Sequence, residues 1–583
     1  MHGSFLQGLE RIYHDIRMVV DINGKRGTAF RTCMGTKQGS ELSPLLFGIF
    51  IEQFHKLLMM RADGAGPTVG NMRVPDILYA DDVALLGHHD PSDLQALLDV
   101  LALFCTLFGM RVNIAKTKIV VFRRPRTPLG PCPWVFQGLP VPVVEQWEYL
   151  GVCVHATKPL HAPSVLEGRA QAGRKAMFAL LAKCRRAHIQ QTAFRCRLFD
   201  VLVRPALSYA CHVWGADACQ AHLATPSASP LERVHVLFLR MLAGVGDKVH
   251  HWSLFKEFHR QPILVHWAKL LVRFWNTMAA LACDATAASR LLTQAFVGDV
   301  ELMLHGCRTC WTFKVLDILT TLQLTTHHAW LPSHNNTVHT VTRLQFDEAR
   351  VEQALQCMYD SVWHNLPMHP RTAPPEQVVA CTYLRWVGVR PHGPAHLTQR
   401  IPFPLKQQLI RFRLGWHNLA IQAGRARRIP RNERTCLVCG RADAVEDMFH
   451  FLCECSMYNG IRVRYRVLFG GPNPVHALVH HGPLLPRAQL MCYIFNHPQQ
   501  LTLARALTDM YTERKRLLSI PPGVPDPVSD RDGDVGVEYD TRLPALHELG
   551  PPHIREEISQ LVSIHGAATA VSMLRAMAVT AMV

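Results

Sequence analysis

Two adjacent carboxylates, Asp81 and Asp82, sit between the short apolar runs Ile77–Ala80 and Val83–Leu86. Apolar runs of this length joined by a polar pair read as strand, turn, strand. A hairpin tip suits divalent-cation chemistry, because the strands fix the backbone while the turn lets carboxylates project towards an ion that polarises phosphoryl oxygens. Side chains alternate along a strand, so neighbouring acids are not equivalent. Asp81 is expected to hold metal directly, with Asp82 in a lesser part. Aspartates are also common in turns for local hydrogen-bonding reasons, and taken alone the pair is more often such a turn than a metal site. A second constellation is Cys436, Cys439, His450 and Cys455, spaced C-x2-C-x10-H-x4-C. A Cys-x-x-Cys turn presents two thiolates to one cation, and a later His and Cys close a tetrahedral zinc site. Cys453 is the alternative last ligand. Cys307 and Cys310 form another Cys-x-x-Cys without a spaced second pair, and read as core or surface thiols.

Elements able to hold these residues are legible around them. Asn23-Gly24 marks a hairpin turn between Val19–Ile22 and Thr28–Phe30. Ser43-Pro44 opens a helix, Ser as the cap and Pro in the first turn, and Leu46, Phe47, Phe50, Ile51, Phe54, Leu57 and Leu58 keep helical spacing. A helix over Ser92–Phe108 ends at Gly109. Strand-like runs follow at Ile119–Phe122 and around Tyr149–Val154. Residues 162–350 have a helical pattern, 365–405 is a Pro-rich linker, and helices end near Leu518.

Composition bounds the function. The chain has 583 residues, 48% hydrophobic and 18% charged, with a net charge of +17. Extensive cores are possible, and an acidic partner, most simply nucleic acid, is favoured. Between Ile520 and Val583 there are four Arg, no Lys and nine Asp or Glu, so the tail is acidic and the preceding body more basic still. The N-terminal stretch has no apolar signal core, and no run of the needed length is apolar enough to span a membrane. A reducing compartment, nucleus or cytoplasm, is expected, with the 18 cysteines free or on metal.

Several stretches occur in an order that resembles the reverse transcriptases of non-LTR (LINE-like) retrotransposons. GTKQGSELSPLLFGIF (Gly35–Phe50) is similar to the family's Gly-Gln-Gly-type loop and following helix. LYADDVALLG (Leu78–Gly87) resembles its metal-binding hairpin, GMRVNIAKTKIVVF (Gly109–Phe122) the segment closing the palm, and WEYLGVCV (Trp147–Val154) the primer-gripping hairpin. LVRPALSYACHVWG (Leu202–Gly215) is similar to the post-palm helical region, and the stretch from Ile410 through the cysteines to Arg462 to the C-terminal cysteine-rich module.

The resemblance implies an Mg²⁺-dependent (or Mn²⁺-dependent) RNA-directed DNA polymerase. Asp81, Asp82 and Lys116 would serve the chemistry. Gln38, Gly39 and Tyr79 would lie near template and incoming nucleotide, and Tyr149, Leu150 and Gly151 would hold the primer end. Cys436, Cys439, His450 and Cys455 would bind Zn²⁺. Partners would be an RNA template, RNA–DNA or DNA duplex and deoxynucleoside triphosphates, with no membrane. One departure matters. In the family, the first metal-binding Asp precedes the Gln-Gly loop by a long helix, whereas 37 residues precede Gln38 here, and neither Asp15 nor Asp21 has the family's flanks. The expectation is an N-terminally truncated enzyme, inactive by itself.

The expected fold is α+β: a partial palm (1–155), a helical thumb (156–245), a helical connection and Pro-rich linker (246–400), a basic helix with the zinc module (401–518) and an acidic, largely disordered tail (519–583). Basic residues of the thumb (Arg169, Arg174, Lys175, Lys183, Arg185, Arg186, Arg195, Arg197) and of the approach to the zinc module (Lys406, Arg411, Arg413, Arg425, Arg427, Arg428, Arg431, Arg434) are candidates to meet phosphates. The alternative is a nucleic-acid-binding retroelement remnant without catalysis.

Overall fold

A computed structural model describes most residues between 3 and 518; several short stretches, 365–382, 388–393, 470–486 and 519–583 lie outside the described residues. The Pro-rich linker, the acidic tail and Gln38 therefore fall largely or wholly outside them. The fold is α+β, and the chain divides into two units.

The first unit comprises 1–148, 155–157 and 284–298. It opens with α1 (Ser4–Tyr13), followed by nested hairpins: β1 (Ile16–Met18) pairs with β4 (Phe30–Thr32), and β2 (Asp21–Ile22) pairs with β3 (Lys25–Arg26). Asn23 and Gly24 form the inner turn with φ of 54° and 81°, the left-handed pair that a two-residue hairpin loop requires. Helix α2 (Ser43–Arg61) carries Pro44 in its first turn. Leu42 occupies the cap position and no side-chain bond closes it, so Ser43 is the first helical residue and not the cap. Hairpin β5–β6 (Thr68–Val69 and Met72–Arg73) precedes β7 (Asp76–Tyr79) and β8 (Asp82–Leu85).

Helix α3 (Pro91–Phe108) starts on Asp90, whose carboxylate accepts the Ser92 N–H, and ends at Gly109 with φ 66°. It is the one described helix long and apolar enough to cross a membrane. Here its two faces are used by two cores. Leu97, Val100 and Phe104 join Phe54 and Leu58 of α2, while Leu98 and Cys105 join Ile119, Trp134, Phe136 and Val141. Hairpin β9–β10 (Val135–Phe136 and Leu139–Pro140) follows, and strands β11 (Gln146–Tyr149) and β12 (Val152–His155) form a further pair, of which 149–154 belongs to the second unit. Ile119–Phe122 forms no strand. Ile119 makes only an isolated bridge to Val143. Among the described residues the ladders are all two-stranded and do not merge into a larger sheet.

The second unit is helical. It runs through α4 (Pro163–Arg186), α5 (Thr192–Leu202), α6 (Arg204–Ser208), α7 (Cys211–His222), α8 (Pro230–Ala243), α9 (His251–Glu257), α10 (Ile263–Cys283), α12 (Trp311–Thr321), α13 (Val338–Val341) and α14 (Glu348–His364). The intervening α11 (Leu291–Leu304) crosses the division. Trp214, Trp267, Trp275 and Trp363 are fully buried here, each a large apolar payload for the core. The same unit continues through α15 (Phe403–Arg413), α16 (Ala420–Ala426), α17 (Asn459–Arg464), α18 (Arg487–Phe495) and α19 (Gln500–Leu517). Buried ions stitch its distant parts together. The Arg413 Nε donates to Glu257 at 2.7 Å and its Nη1 to the Phe495 carbonyl at 2.5 Å.

Candidate metal centres and nucleic-acid interface

The acidic hairpin turns one residue earlier than the sequence suggests. Tyr79 pairs with Asp82 and Leu78 with Val83, leaving Ala80-Asp81 as the turn, with Ala80 at φ 51°. Asp82 is thus the first residue of β8, while Asp81 projects from the tip. Leu78, Val83 and Leu85 pack on the core between α2 and α3. Alternation then places Tyr79 and Asp82 together on the opposite, open face. Tyr79, Asp81 and Asp82 are all exposed. At the far end of β7, Asp76 is buried and accepts from His55 Nδ1 at 2.7 Å.

Two exposed carboxylates on a core-anchored tip fit a hydrated Mg²⁺, which keeps several waters and takes one or two protein carboxylates. Among the described residues, neither Asp81 nor Asp82 belongs to a converging group of three or more His, Cys, Asp or Glu ligand atoms. Gly39 stands in a turn at φ 85°. Lys116 is exposed on a turn anchored by Asn113, whose carbonyl accepts its N–H at 3.0 Å. Tyr149, Leu150 and Gly151 are half-buried at the β11–β12 turn, with Leu150 at φ 46° and Gly151 at φ 73°.

Cys436, Cys439, His450 and Cys455 converge, their ligand atoms all within 4.8 Å of one another. The local backbone explains why. Thr435 bridges Val445, the Cys436 N–H bonds the Ala444 carbonyl at 2.8 Å, and Gly440 at φ 67° turns the loop that carries both thiols. His450 begins a single π-helical turn that ends at Glu454, its N–H held by Asp447 at 2.9 Å, and the Cys455 N–H returns to the His450 carbonyl. In a tetrahedral zinc site with bonds of about 2.3 Å to sulfur and 2.0 Å to nitrogen, neighbouring donors lie about 3.5–3.8 Å apart. Cys439 Sγ and His450 Nε2 are 3.5 Å apart. The electrostatics agree. Burial pulls His450 down, but Cys436 and Cys439 outweigh it and hold its pKa at about 9. Cys436 is pushed up to about 11, first by Cys455 and then by burial. A cation bound at such a point displaces the protons these groups compete for. Cys453 stays outside the cluster.

The basic stretches divide into two kinds. Lys183, Arg185, Arg186, Arg197, Arg427 and Arg428 are exposed. Arg195 is buried, donating to the Ile189 carbonyl and lying over the Phe403 ring at 4.4 Å. Lys406 is buried on the Gln399 carbonyl, Arg413 on Glu257, and Arg434 donates to the Ile421 and Ile429 carbonyls. The second set is structural, and charge spacing alone could not separate it from the first. Sequence reasoning also missed Tyr209 and Arg169 as neighbours of Leu150-Gly151; a leucine where a tight turn wants Asn or Gly is the signal that a distant residue stabilises it.

Residues 5–154 match the reverse transcriptase (RNA-dependent DNA polymerase) family. Over 83 residues the chain is 35% identical to the retrovirus-related Pol polyprotein of the type-1 retrotransposable element R2 of Popillia japonica, covering 14% of this chain and 11% of that protein. It is 27% identical over 161 residues to the Pol polyprotein of the type-2 element R2DM of Drosophila melanogaster, covering 26% and 15%. It is 26% identical over 172 residues to an uncharacterised transposon-derived protein of Caenorhabditis elegans, covering 28% and 57%. The chain thus spans little more than half of the last relative and under a sixth of the two Pol polyproteins. These matches define a reverse-transcriptase domain. It is similar to the Pol polyproteins of R2 retrotransposable elements.

Proposed function

We propose that this chain belongs to an RNA-directed DNA polymerase of a non-LTR retrotransposon, in which Asp81 and Asp82 hold Mg²⁺ or Mn²⁺. The observation that carries this is the pair of exposed carboxylates on a core-anchored tip, within the stretch that matches reverse transcriptases. The bound ion would polarise phosphoryl oxygens and neutralise charge developing between attacking and leaving groups. The protein's part is to place ligands and substrates. Gln38, Gly39 and Tyr79 would lie at template and incoming nucleotide, Lys116 at its phosphates, and Tyr149, Leu150 and Gly151 at the primer end. In this reading 1–155 is palm, 156–245 thumb, 246–400 connection and 401–518 a zinc module, working on RNA template and RNA–DNA or DNA duplex in nucleus or cytoplasm.

A two-ion displacement needs ligands for both ions, and two adjacent acids on one tip serve one ion well. Among the described residues no third acid joins Asp81 and Asp82 at the tip, and on this reading extension by this chain alone should be negligible. The same shortage favours a second reading, in which basic helices and the Cys/His module bind nucleic acid without catalysis. Metal-directed cleavage separates ion binding from turnover. Fe²⁺ with ascorbate and peroxide should cut the backbone near Asp81, be suppressed by excess Mg²⁺, and fail in Asp81→Ala. Cleavage elsewhere, or unaffected by Asp81→Ala, would remove the metal role.

A further inference from the structure

The turn joining β11 to β12 is strained where the sequence gives it no local help. Leu150 and Gly151 both have positive φ, 46° and 73°, the pair that a two-residue hairpin loop adopts and that Asn-Gly or Gly-Gly accommodates best. A bulky residue such as leucine is a genuine outlier there, and such conformations persist only where surrounding structure over-determines them. Two thumb residues do so. The Tyr209 hydroxyl, between α6 and α7, donates to the Leu150 carbonyl at 2.7 Å, and Arg169 Nη2, on α4, donates to the Gly151 carbonyl. The Arg169 guanidinium lies over the Tyr209 ring, 5.0 Å from its centroid, in cation–π range. The two are thus braced on each other as well as on the turn.

The fit is close. A Cβ on Gly151 would lie 3.2 Å from Tyr209 Cε1 and 3.4 Å from Arg169 Nη2. Position 151 therefore favours glycine by its φ, and a Cβ there would need the Tyr209 ring to give by a few tenths of an ångström. Both carbonyls of the turn are taken, one by Arg169 of α4 and the other by Tyr209 between α6 and α7.

We propose that Arg169 and Tyr209 are positioning residues that clamp the Leu150-Gly151 turn and so fix the hairpin that grips the primer's 3′ end. The clamp itself follows from the geometry; its use on a primer rests on the polymerase reading above. The residues need not touch the primer to act on it, because an end held by a hairpin is only as well placed as the hairpin.

The test uses the full chain and two readouts. The first is amide exchange of the 149–154 segment without nucleic acid. Tyr209→Phe should speed it roughly three- to tenfold, the worth of one hydrogen bond. Arg169→Ala should do at least as much, and Arg169→Lys, which keeps a donor, less. The second uses an RNA–DNA primer–template with 2-aminopurine at the primer 3′ terminus, or several base pairs back. Tyr209→Phe should change the terminal signal only, with overall affinity and circular dichroism unchanged. A merely structural role would move both probes or neither. Unaltered exchange in Tyr209→Phe and Arg169→Lys overturns the clamp. Faster exchange with an unaltered terminal signal overturns the positioning role. A wild-type chain that ignores the primer end, or does not bind the duplex, instead overturns the polymerase reading, while the exchange result stands apart from it.

Discussion

Removing the carboxylate of Glu446 should loosen the Cys/His segment from a distance. Glu446 follows the Thr435–Val445 bridge and is buried, as is Arg514 of α19. Their contact is bidentate, Nε to Oε1 at 2.8 Å and Nη2 to Oε2 at 2.9 Å. Oε2 also accepts the Ala420 N–H at 2.7 Å, closing the start of α16. Glu446→Ala strands a buried guanidinium and a helix N–H together, and breaking one side of a buried pair costs about 3–5 kcal/mol. Glu446→Gln keeps an oxygen but loses the charge, and should cost about 1.5–3 kcal/mol. Joint replacement by apolar side chains, Glu446→Leu with Arg514→Met, should cost far less than Glu446→Ala, because no unpaired charge remains. A chain of several units does not unfold in one step, so segment-resolved hydrogen exchange is the suitable assay. At about 1.4 kcal/mol per tenfold, amides around Cys436 and Ala420 should exchange roughly two to three and a half orders of magnitude faster in Glu446→Ala. Exchange within a few-fold of wild type, or a double replacement as damaging as Glu446→Ala, would refute the reasoning.

Chelation should strip one zinc per chain and melt protection across 434–458, since structural zinc binding is folding energy; metal analysis finding none, or Cys436→Ser retaining full metal, would contradict this. Binding of RNA–DNA duplex should weaken steeply with salt, and Arg427→Ala with Arg428→Ala should lower the slope of log affinity against log salt by about two, one counterion per phosphate contact; an unchanged slope would mean that these exposed arginines face no phosphate. Acidification should destabilise the helical unit well before carboxylates titrate. Burial holds His250 and His266 at about 4, and His251 and His417 at about 3. These pKa values are depressed, so the unfolded chain binds more protons below about 6.5, and stability falls as pH drops from there, by about 1.4 kcal/mol per unit for each such histidine. Glu232, raised by burial to about 8, opposes this with stability that is lost as pH rises. Urea unfolding of the helical unit between pH 7 and 5 tests the balance; stability rising towards pH 5 would overturn it.

The sequence disclosed local features and concealed those fixed by distant partners. Asn23-Gly24, Gly109 and the Cys-x-x-Cys turn carry their own backbone signals, and each stands where such signals place a turn or a cap. The acidic hairpin was legible as strand–turn–strand, but its register was not. Val83 and Leu85 must face the core with Leu78, which pulls Asp82 into the strand and leaves Ala80-Asp81 as the turn. Ser43 looked like a cap because Pro44 follows it, yet the chain enters the helix one residue earlier. The basic stretches were the least legible. Arg413 reads like its neighbour Arg411 until Glu257, far away in sequence, draws it inside. Arg169 gives no sign of its task until Leu150 adopts a positive φ that only a tertiary contact stabilises.

Primer extension on an RNA template tests the central claim most directly. The chain should be assayed alone and joined to the first palm strand and fingers of a related element, with Mg²⁺ and separately with Mn²⁺. The account predicts negligible extension by the chain alone, because an ion short of ligands forfeits several kcal/mol and each about 1.4 kcal/mol is tenfold in rate. It predicts extension by the joined protein, abolished by Asp81→Ala. Robust extension by the chain alone would show that another acid completes the ion site. Extension that survives Asp81→Ala would contradict the assignment of the hairpin as the metal centre.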